Sequence, residues 1–190
     1  MSALLVAVGG GWRKAGKTEL VCAILRGLPH LDWTAVKVSH PHTGAGWSMA
    51  EERDRSGGAD TSRYLLAGAA RAYWVQAAAG DLPAAAAAIR ETVRGRNAIL
   101  ESNAIVDFVN PGLYLMVLGG EGEPKESARR RMDRVDAFVR WDGTGGEWLG
   151  KPVFGAARGA PLPEPLLRWI VQLAGRNATA TDRRPSASQE

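Results

Sequence analysis

The residues best suited to chemistry lie near the start of the chain, from Gly11 to Thr18. They have the sequence G-W-R-K-A-G-K-T and match the pattern G-x-x-x-x-G-K-[ST], which cradles the phosphates of a nucleotide. The apolar run Ala3–Val8 precedes them and predicts a buried strand, while apolar residues at helical spacing follow from Leu20. A phosphate loop needs a strand before it and a helix after it, so the sequence predicts a nucleotide-phosphate site here.

Each residue type in this loop suits a ligand that carries several negative charges. Glycines let backbone N–H groups point inward, and the start of the helix adds its positive end. Lys17 is expected to reach the β- and γ-phosphates and to act in catalysis, and the Thr18 hydroxyl is expected to bind Mg²⁺. Trp12 could stack on a base or cover the site, with simple packing as the alternative. The predicted nucleotide-binding residues are Gly11, Trp12, Arg13, Lys14, Ala15, Gly16, Lys17, Thr18 and Glu19.

Two carboxylates are candidates for the rest of the catalytic machinery. Glu101 ends an apolar run, and a carboxylate in such surroundings needs a function or a partner. It is predicted to bind the metal or to position water, with a structural hydrogen bond to a helix end as the alternative. Asp60 is a further catalytic candidate, but it is equally a good N-cap for the helix that follows it.

Two histidines, His40 and His42, follow the second predicted strand. Only His30 remains elsewhere, so four zinc ligands are not available, and contact with phosphate or substrate is the better functional interpretation. The alternative is that both histidines simply face solvent. From Trp47 to Gly58 the chain is polar, Gly-rich and without clear periodicity, which predicts a loop that responds to the γ-phosphate and Mg²⁺.

Strand and helix patterns alternate along the chain. The predicted strands are Ala3–Val8, Trp33–Ser39, Arg71–Ala77, Asn97–Ser102, Leu113–Leu118, Asp136–Trp141 and Pro152–Gly155. Helices are predicted after the phosphate loop, from Asp60 to about Gly68, after a cap at Asp81, around Ile105–Val109, over Lys125–Met132, and finally up to a stop at Gly175. This alternation predicts an α/β protein with the three-layer P-loop NTPase fold, a mostly parallel sheet covered by helices on both faces.

The length, the cysteine content and the net charge of the chain indicate what kind of protein it is. The 190 residues predict a single nucleotide-binding domain over residues 1–175 and a polar, disordered tail over 176–190. A single cysteine, Cys22, cannot form an internal disulfide, and neither a signal peptide nor a membrane span is expected, so the expected location is the cytoplasm. The net charge of +4 is scattered over the chain, and no nucleic-acid partner is expected.

Three segments together resemble a known family. They are the phosphate-loop segment Val8–Thr18, the second strand with its histidines, Val36–His42, and the segment Asp60–Ala69, which fits D-[ST]-x-R-x-x-x-A-G-A. Ile99–Ser102 stands where the family has a strand that ends in V-E-G. Their order and spacing over about the first 120 residues are similar to those of the P-loop proteins of molybdopterin-guanine dinucleotide biosynthesis, the MobB family.

This resemblance implies GTP binding with Mg²⁺, slow hydrolysis and homodimerisation. It also implies assistance to a molybdopterin nucleotidyltransferase, the partner that attaches a nucleotide to the molybdenum pterin. Lys17 and Thr18 carry over to phosphate and Mg²⁺, and Glu101 to the metal side. The residues implied to line the nucleotide or pterin site, or to act as a switch, are Lys37, His40, His42, Asp60 and Arg63. The choice of GTP over ATP rests on the resemblance alone, because the chain contains no Asn-Lys-x-Asp motif for guanine.

Two other functions remain open from the sequence. A small-molecule kinase that uses ATP could share this fold, with Asp60 or Glu101 as the base near the γ-phosphate. A non-catalytic anion-binding or nucleic-acid-binding module would bind polyanions in a strongly salt-dependent way, with or without Lys17.

Overall fold

Nine strands form one sheet in the computed structural model, which describes residues 3–41, 46–119 and 123–181. In chain order the strands are β1 Leu5–Gly10, β2 Thr34–Ser39, β3 Trp47–Glu51, β4 Arg71–Ala77, β5 Ala98–Glu101, β6 Leu113–Leu118, β7 Ala137–Arg140, β8 Gly146–Trp148 and β9 Lys151–Gly155. They lie side by side in the order β3-β4-β2-β5-β1-β6-β7-β9-β8. All neighbours are parallel except β3 with β4 and β8 with β9, so each edge of the sheet ends in an antiparallel strand.

Helices cover both faces of this sheet. They are α1 Lys17–Gly27, α2 Asp60–Leu66, α3 Leu82–Thr92, α4 Val106–Val109, α5 Glu126–Arg129 and α6 Glu164–Thr181. Helices α1, α2 and α6 pack on one face, where Val6 and Val8 of β1 point, and α3, α4 and α5 pack on the other. The predicted three-layer α/β fold with a mostly parallel sheet is therefore confirmed.

The central strands explain why the sequence favours this arrangement. All six residues of β6 are buried, as expected for a parallel strand that is covered on both faces. Strands β4 and β6 have the bounds that the sequence predicts. The other predicted strands are present with ends that differ by one to a few residues, because strand ends depend on pairing with neighbours.

Two strands were not expected from the sequence. Residues 47–51, predicted as part of a loop, form the edge strand β3, whose side chains are mostly exposed and show no alternating apolar pattern. Backbone pairing with β4 holds this strand, and the Asp81 carboxylate accepts a hydrogen bond of 2.9 Å from the Gly46 N–H just before it. Strand β8 has three residues with one large apolar side chain, Trp148, which is too short a pattern to predict a strand.

Helix ends also differ from the predictions. Ala59 is the N-cap of α2 and Asp60 is its first residue, so the interpretation of Asp60 as the cap is wrong: its carboxylate contacts Lys37 instead. Asp81 occupies the N-cap position of α3 without a side-chain capping bond. Helix α6 continues past Gly175 to Thr181, so the predicted stop at Gly175 is also wrong.

His42 and residues 182–190 lie outside the described residues, and the division into one domain and a tail stays a prediction.

Within the described ranges, no helix combines the length and the apolar character that crossing a membrane would require.

Candidate functional site

The phosphate loop connects β1 to α1 at the carboxyl end of the sheet. Gly16 is the N-cap of α1 with φ +96°, a left-handed angle that glycine adopts without strain. A Cβ at Gly10 would lie 2.8 Å from Cγ of Lys17, so the Lys17 side chain runs back over the end of β1. The loop therefore has the backbone path and the lysine that phosphate binding requires.

Strand register places Glu101 beside this loop. Glu101 is opposite Val8 of β1 and opposite Lys37 of β2, because β5 lies between these two strands. The Thr18 hydroxyl, in the first turn of α1, donates a hydrogen bond of 2.8 Å to Oε2 of Glu101. The Glu101 side chain is 4% exposed, so this carboxylate is held inside the protein at the edge of the phosphate loop.

Lys37 links the two predicted catalytic carboxylates. Its Nζ lies 3.3 Å from Oε1 of Glu101 and forms a second ion pair with the Asp60 carboxylate. The Arg63 guanidinium, one turn along α2, lies 3.5 Å from the other oxygen of Asp60 and is largely exposed. Lys17, Thr18, Lys37, Asp60 and Glu101, which the sequence predicts separately, thus meet in one cluster.

The charges in this cluster affect one another. Burial lowers the pKa of Lys17; the Glu101 carboxylate opposes this effect, whereas the positive charges of Lys125 and Lys37 add to it. Burial would also lower the pKa of Lys37, but Glu101 and Asp60 outweigh it, so the pKa of Lys37 is raised. The two carboxylates therefore keep Lys37 positively charged. Lys17, whose pKa is lowered, is the lysine whose charged form a bound anion would stabilise most.

Two residues of the site were missed by the sequence analysis. Tyr64, fully buried in α2, donates a hydrogen bond to Oε2 of Glu101, and burial with the nearby Glu101 charge raises the pKa of Tyr64 well above its usual value. Asn103 accepts a 2.8 Å bond from Gly10 N–H and donates a 2.9 Å bond to the Gly10 carbonyl. The spacing Asp60 to Tyr64, one helical turn, and the position of Asn103 two residues after Glu101 are the signals that could have indicated them.

Other predicted nucleotide-binding residues lie around the loop in different settings. Glu19 accepts hydrogen bonds from the Arg158 side chain and from Gly159 N–H, so it fixes the loop after β9 against α1. Trp12 is partly buried and packs against core residues on both faces of the sheet. Ala15 is buried in the core of the α1 face.

Several positive side chains face solvent near the phosphate loop. Arg13 and Lys14 are exposed within it, and Lys14 has a left-handed φ of +54°. Lys125, in the segment after β6, also lies at the phosphate loop, because its backbone N–H donates a 2.8 Å hydrogen bond to the Gly11 carbonyl. His40, at the end of β2, is exposed, and no hydrogen bond of its side chain occurs among the described residues.

The Trp141 side chain, just after β7, packs against the phosphate loop at Gly16. A Cβ at Gly16 would lie 2.5 Å from Nε1 of Trp141 and 2.9 Å from Arg158, so both side chains touch the backbone at Gly16. The Arg158 guanidinium lies over the Trp141 ring at 5.4 Å from its centroid. Asp142, the carboxylate next to Trp141, accepts hydrogen bonds from Thr144.

The chain is similar to LpxK from Aquifex aeolicus, whose crystal structure is described as the apo form in complex with ATP, with a TM-score of 0.52 and 14% identity. The similarity covers 82% of this chain and 54% of LpxK, so the chain spans about half the length of that protein. No family model matches the chain, and a comparison with curated proteins gives no match.

These findings define the class of fold. At this identity the likeness to LpxK concerns the fold alone. In this chain the mostly parallel sheet carries its glycine loop between β1 and α1. The protein has the P-loop NTPase fold.

Proposed function

We propose that this protein binds a nucleoside triphosphate with Mg²⁺ at the phosphate loop and hydrolyses it slowly. We further propose that it acts as an accessory in the biosynthesis of molybdopterin guanine dinucleotide, a molybdenum cofactor. The observation that carries the first part is the hydrogen bond between Thr18 and the buried Glu101, directly beside Lys17. This arrangement supplies phosphate donors, a metal ligand and a carboxylate at one place.

The phosphates would lie against the start of α1. Backbone N–H groups at a helix start and the positive end of the helix attract anions, and the side chain of Lys17 adds a positive charge at the end of β1. Thr18 and Glu101 fit Mg²⁺, which needs one or two protein oxygens when phosphates supply the others. When bound, this ion would neutralise charge on the β- and γ-phosphates.

The surroundings of Glu101 argue for slow hydrolysis. The carboxylate accepts hydrogen bonds from Thr18, Lys37 and Tyr64, so it is well oriented to hold a water molecule. The same donors occupy most of its lone pairs, which makes it a poor acceptor for a proton from that water. Asp60 is similarly engaged by Lys37 and Arg63. Turnover should therefore rise only when a partner or substrate rearranges these contacts.

The identity of the base and of the partner rests on the resemblance to the MobB family. It supports GTP rather than ATP, a homodimer, and a molybdopterin nucleotidyltransferase as the protein that is assisted. Lys37, His40 and Arg63 lie on the β2 and α2 side of the phosphate loop, where a pterin or its phosphate could approach the γ-phosphate. Turnover measured with and without that transferase and the molybdenum pterin would test this part.

A second candidate is transfer of the γ-phosphoryl group from ATP to a small molecule. The ATP complex of LpxK, a protein with the same fold, is the observation that favours it. A kinase should transfer phosphate to an added acceptor much faster than to water, whereas an accessory hydrolase should not.

The experiment is calorimetric titration with non-hydrolysable GTP and ATP analogues, with and without Mg²⁺. We expect tight binding that requires Mg²⁺ and an affinity loss of about 10- to 100-fold or more in Lys17→Ala, because one charged phosphate contact is removed. Arg94→Ala is the matched control, since Arg94 is an exposed cation that pairs with Glu91 just before β5, at the opposite end of the sheet.

The outcomes separate the candidates. A preference for guanine supports the accessory role, and a preference for ATP supports phosphoryl transfer. If neither nucleotide binds, or if Lys17→Ala binds as the wild type does, the proposed nucleotide site is wrong.

A further inference from the structure

Tyr64 is the buried group that holds Glu101 from the side of α2. Its ring is fully buried, and its hydroxyl donates to Oε2 of Glu101, the same oxygen that accepts the 2.8 Å bond from Thr18. We propose that Tyr64 is a positioning residue, which fixes the Glu101 carboxylate in the orientation that serves the nucleotide-bound Mg²⁺. This inference rests on the proposed function and assigns a role to a residue outside the phosphate-loop motif.

The contacts of Glu101 divide between its two oxygens. Lys37 approaches Oε1 at 3.3 Å, while Thr18 and Tyr64 both donate to Oε2. The donors come from β2, α1 and α2, so the carboxylate is held from three directions. Each carboxylate oxygen has two lone pairs, and Oε2 uses both of them on hydroxyl groups.

The bond from Thr18 is the one that nucleotide binding would change. A threonine hydroxyl that ligates a cation turns a lone pair to it, and the hydroxyl is then reoriented. Tyr64 belongs to α2 and not to the phosphate loop, and among the described residues its hydroxyl donates to Oε2 alone, so under this proposal that bond persists in both states. Tyr64 therefore keeps one side of Oε2 fixed while the other side becomes available for metal or water.

Helix α2 carries the Tyr64 hydroxyl on the side of the helix that meets Lys37 and Glu101. Asp60 and Tyr64 are four residues apart and lie on one side of the helix, where Asp60 contacts Lys37 and Tyr64 contacts Glu101. The two bonds dock α2 on both members of the Lys37–Glu101 pair. Loss of the Tyr64 bond would remove one of the two hydroxyl donors to Oε2 and leave the Lys37–Asp60 contact in place.

The test uses Tyr64→Phe, which removes the hydroxyl and keeps the ring. Tyr114→Phe is the matched control, because the Tyr114 hydroxyl is also buried but has no hydrogen-bond partner among the described residues. The affinity for a non-hydrolysable GTP analogue is measured by calorimetry with and without Mg²⁺. The quantity compared between variants is the gain in affinity that Mg²⁺ produces.

We expect this gain to fall about 10- to 100-fold in Tyr64→Phe, as for other groups that orient a metal ligand. The metal-free affinity should be unchanged, and Tyr114→Phe should match the wild type in both measurements. A merely structural role for Tyr64 would lower the metal-free affinity as well, together with the unfolding temperature.

Three results would overturn the inference. One is a full Mg²⁺-dependent gain in Tyr64→Phe, and another is an equal loss of affinity with and without the metal. The third is a wild-type protein that binds no nucleotide, which would remove the proposed function itself. The first two leave the proposed function standing, so the failures can be told apart.

Discussion

Gly16 shows how a single residue can constrain the phosphate loop in two ways. Its φ of +96° is accessible to glycine but strained for other residues. A Cβ would also approach Trp141 and Arg158 within 2.9 Å. Replacement by alanine should therefore cost both backbone strain and a displaced neighbour.

We expect Gly16→Ala to lower the free energy of unfolding by about 1–3 kcal/mol, the usual cost of a strained backbone position. Urea unfolding followed by circular dichroism would measure it. The matched control is Gly80→Ala, where a Cβ would meet no atom within 4 Å, and its effect should stay within about 0.5 kcal/mol. Equal unfolding free energies for the two variants would contradict this prediction.

Individual site residues differ in how well the sequence indicates them. Lys17 and Thr18 follow from a motif, and Glu101 follows from its place at the end of an apolar strand. Tyr64 and Asn103 could not be predicted in the same way, because their partners are 37 and 93 residues away in the chain. The local spacing of Tyr64 from Asp60 and of Asn103 from Glu101 marks them as candidates, but their bonds depend on how α2 packs against Glu101 and how the chain after β5 meets β1.

At the scale of elements, the segment between β6 and α5 brings a further charge to the phosphate loop. The N–H of Lys125 is bonded to the Gly11 carbonyl, and the Lys125 charge adds to the effect of burial in lowering the pKa of Lys17. Two cations that repel each other beside a glycine loop favour the binding of an anion.

We expect Lys125→Ala to weaken nucleotide binding by about 2- to 10-fold, the effect of one solvent-exposed charge near a polyanion. The loss should shrink as salt is raised, because exposed charges are screened. Calorimetric titration at two salt concentrations would measure both effects. Arg130→Ala serves as control, since Arg130, the C-cap of α5, is exposed and pairs with Glu126. An equal loss in both variants would exclude a specific role for Lys125.

The elements themselves were predictable to different degrees. Strands such as β6 are buried on both faces, and their continuous apolar runs mark them clearly. Edge strands β3 and β8 bury few side chains, so their existence depends on backbone pairing that the sequence does not display. For Asp60 the sequence leaves a catalytic role and an N-cap both open, because a carboxylate at a helix start satisfies local capping rules. The cap is wrong, since the carboxylate contacts Lys37 on β2.

At the scale of the whole molecule, the strand order was the feature that no local pattern could provide. The alternation of strands and helices predicts a parallel sheet, but it does not specify that β5 lies between β1 and β2. That insertion places Glu101 next to both the phosphate loop and Lys37. The candidate site is therefore a product of topology as much as of its motif.

A ligand bound at this central position should stabilise the entire fold. With nucleotide at about 100 times its dissociation constant, the stabilisation is about 2.7 kcal/mol. For a domain of this size that corresponds to a rise in unfolding temperature of about 5–11 °C. Thermal unfolding with and without the Mg²⁺–nucleotide complex would measure it, and Lys17→Ala should show about half of the shift or less at the same ligand concentration, because its affinity is lower. A shift of the same size in Lys17→Ala would mean that the nucleotide binds elsewhere.

The ion pair between Lys37 and Glu101 affects whether the folded protein can persist without metal or nucleotide. A buried carboxylate whose only counter-charge was a metal would be left uncompensated each time the metal dissociated. Here the opposite charge is part of the polypeptide, so the interior stays electrically balanced as soon as the chain has folded. Burial of Glu101 therefore does not require a bound cation as its counter-charge. Under the proposed function, a newly made molecule could persist in metal-poor surroundings and begin work when nucleotide and Mg²⁺ arrive.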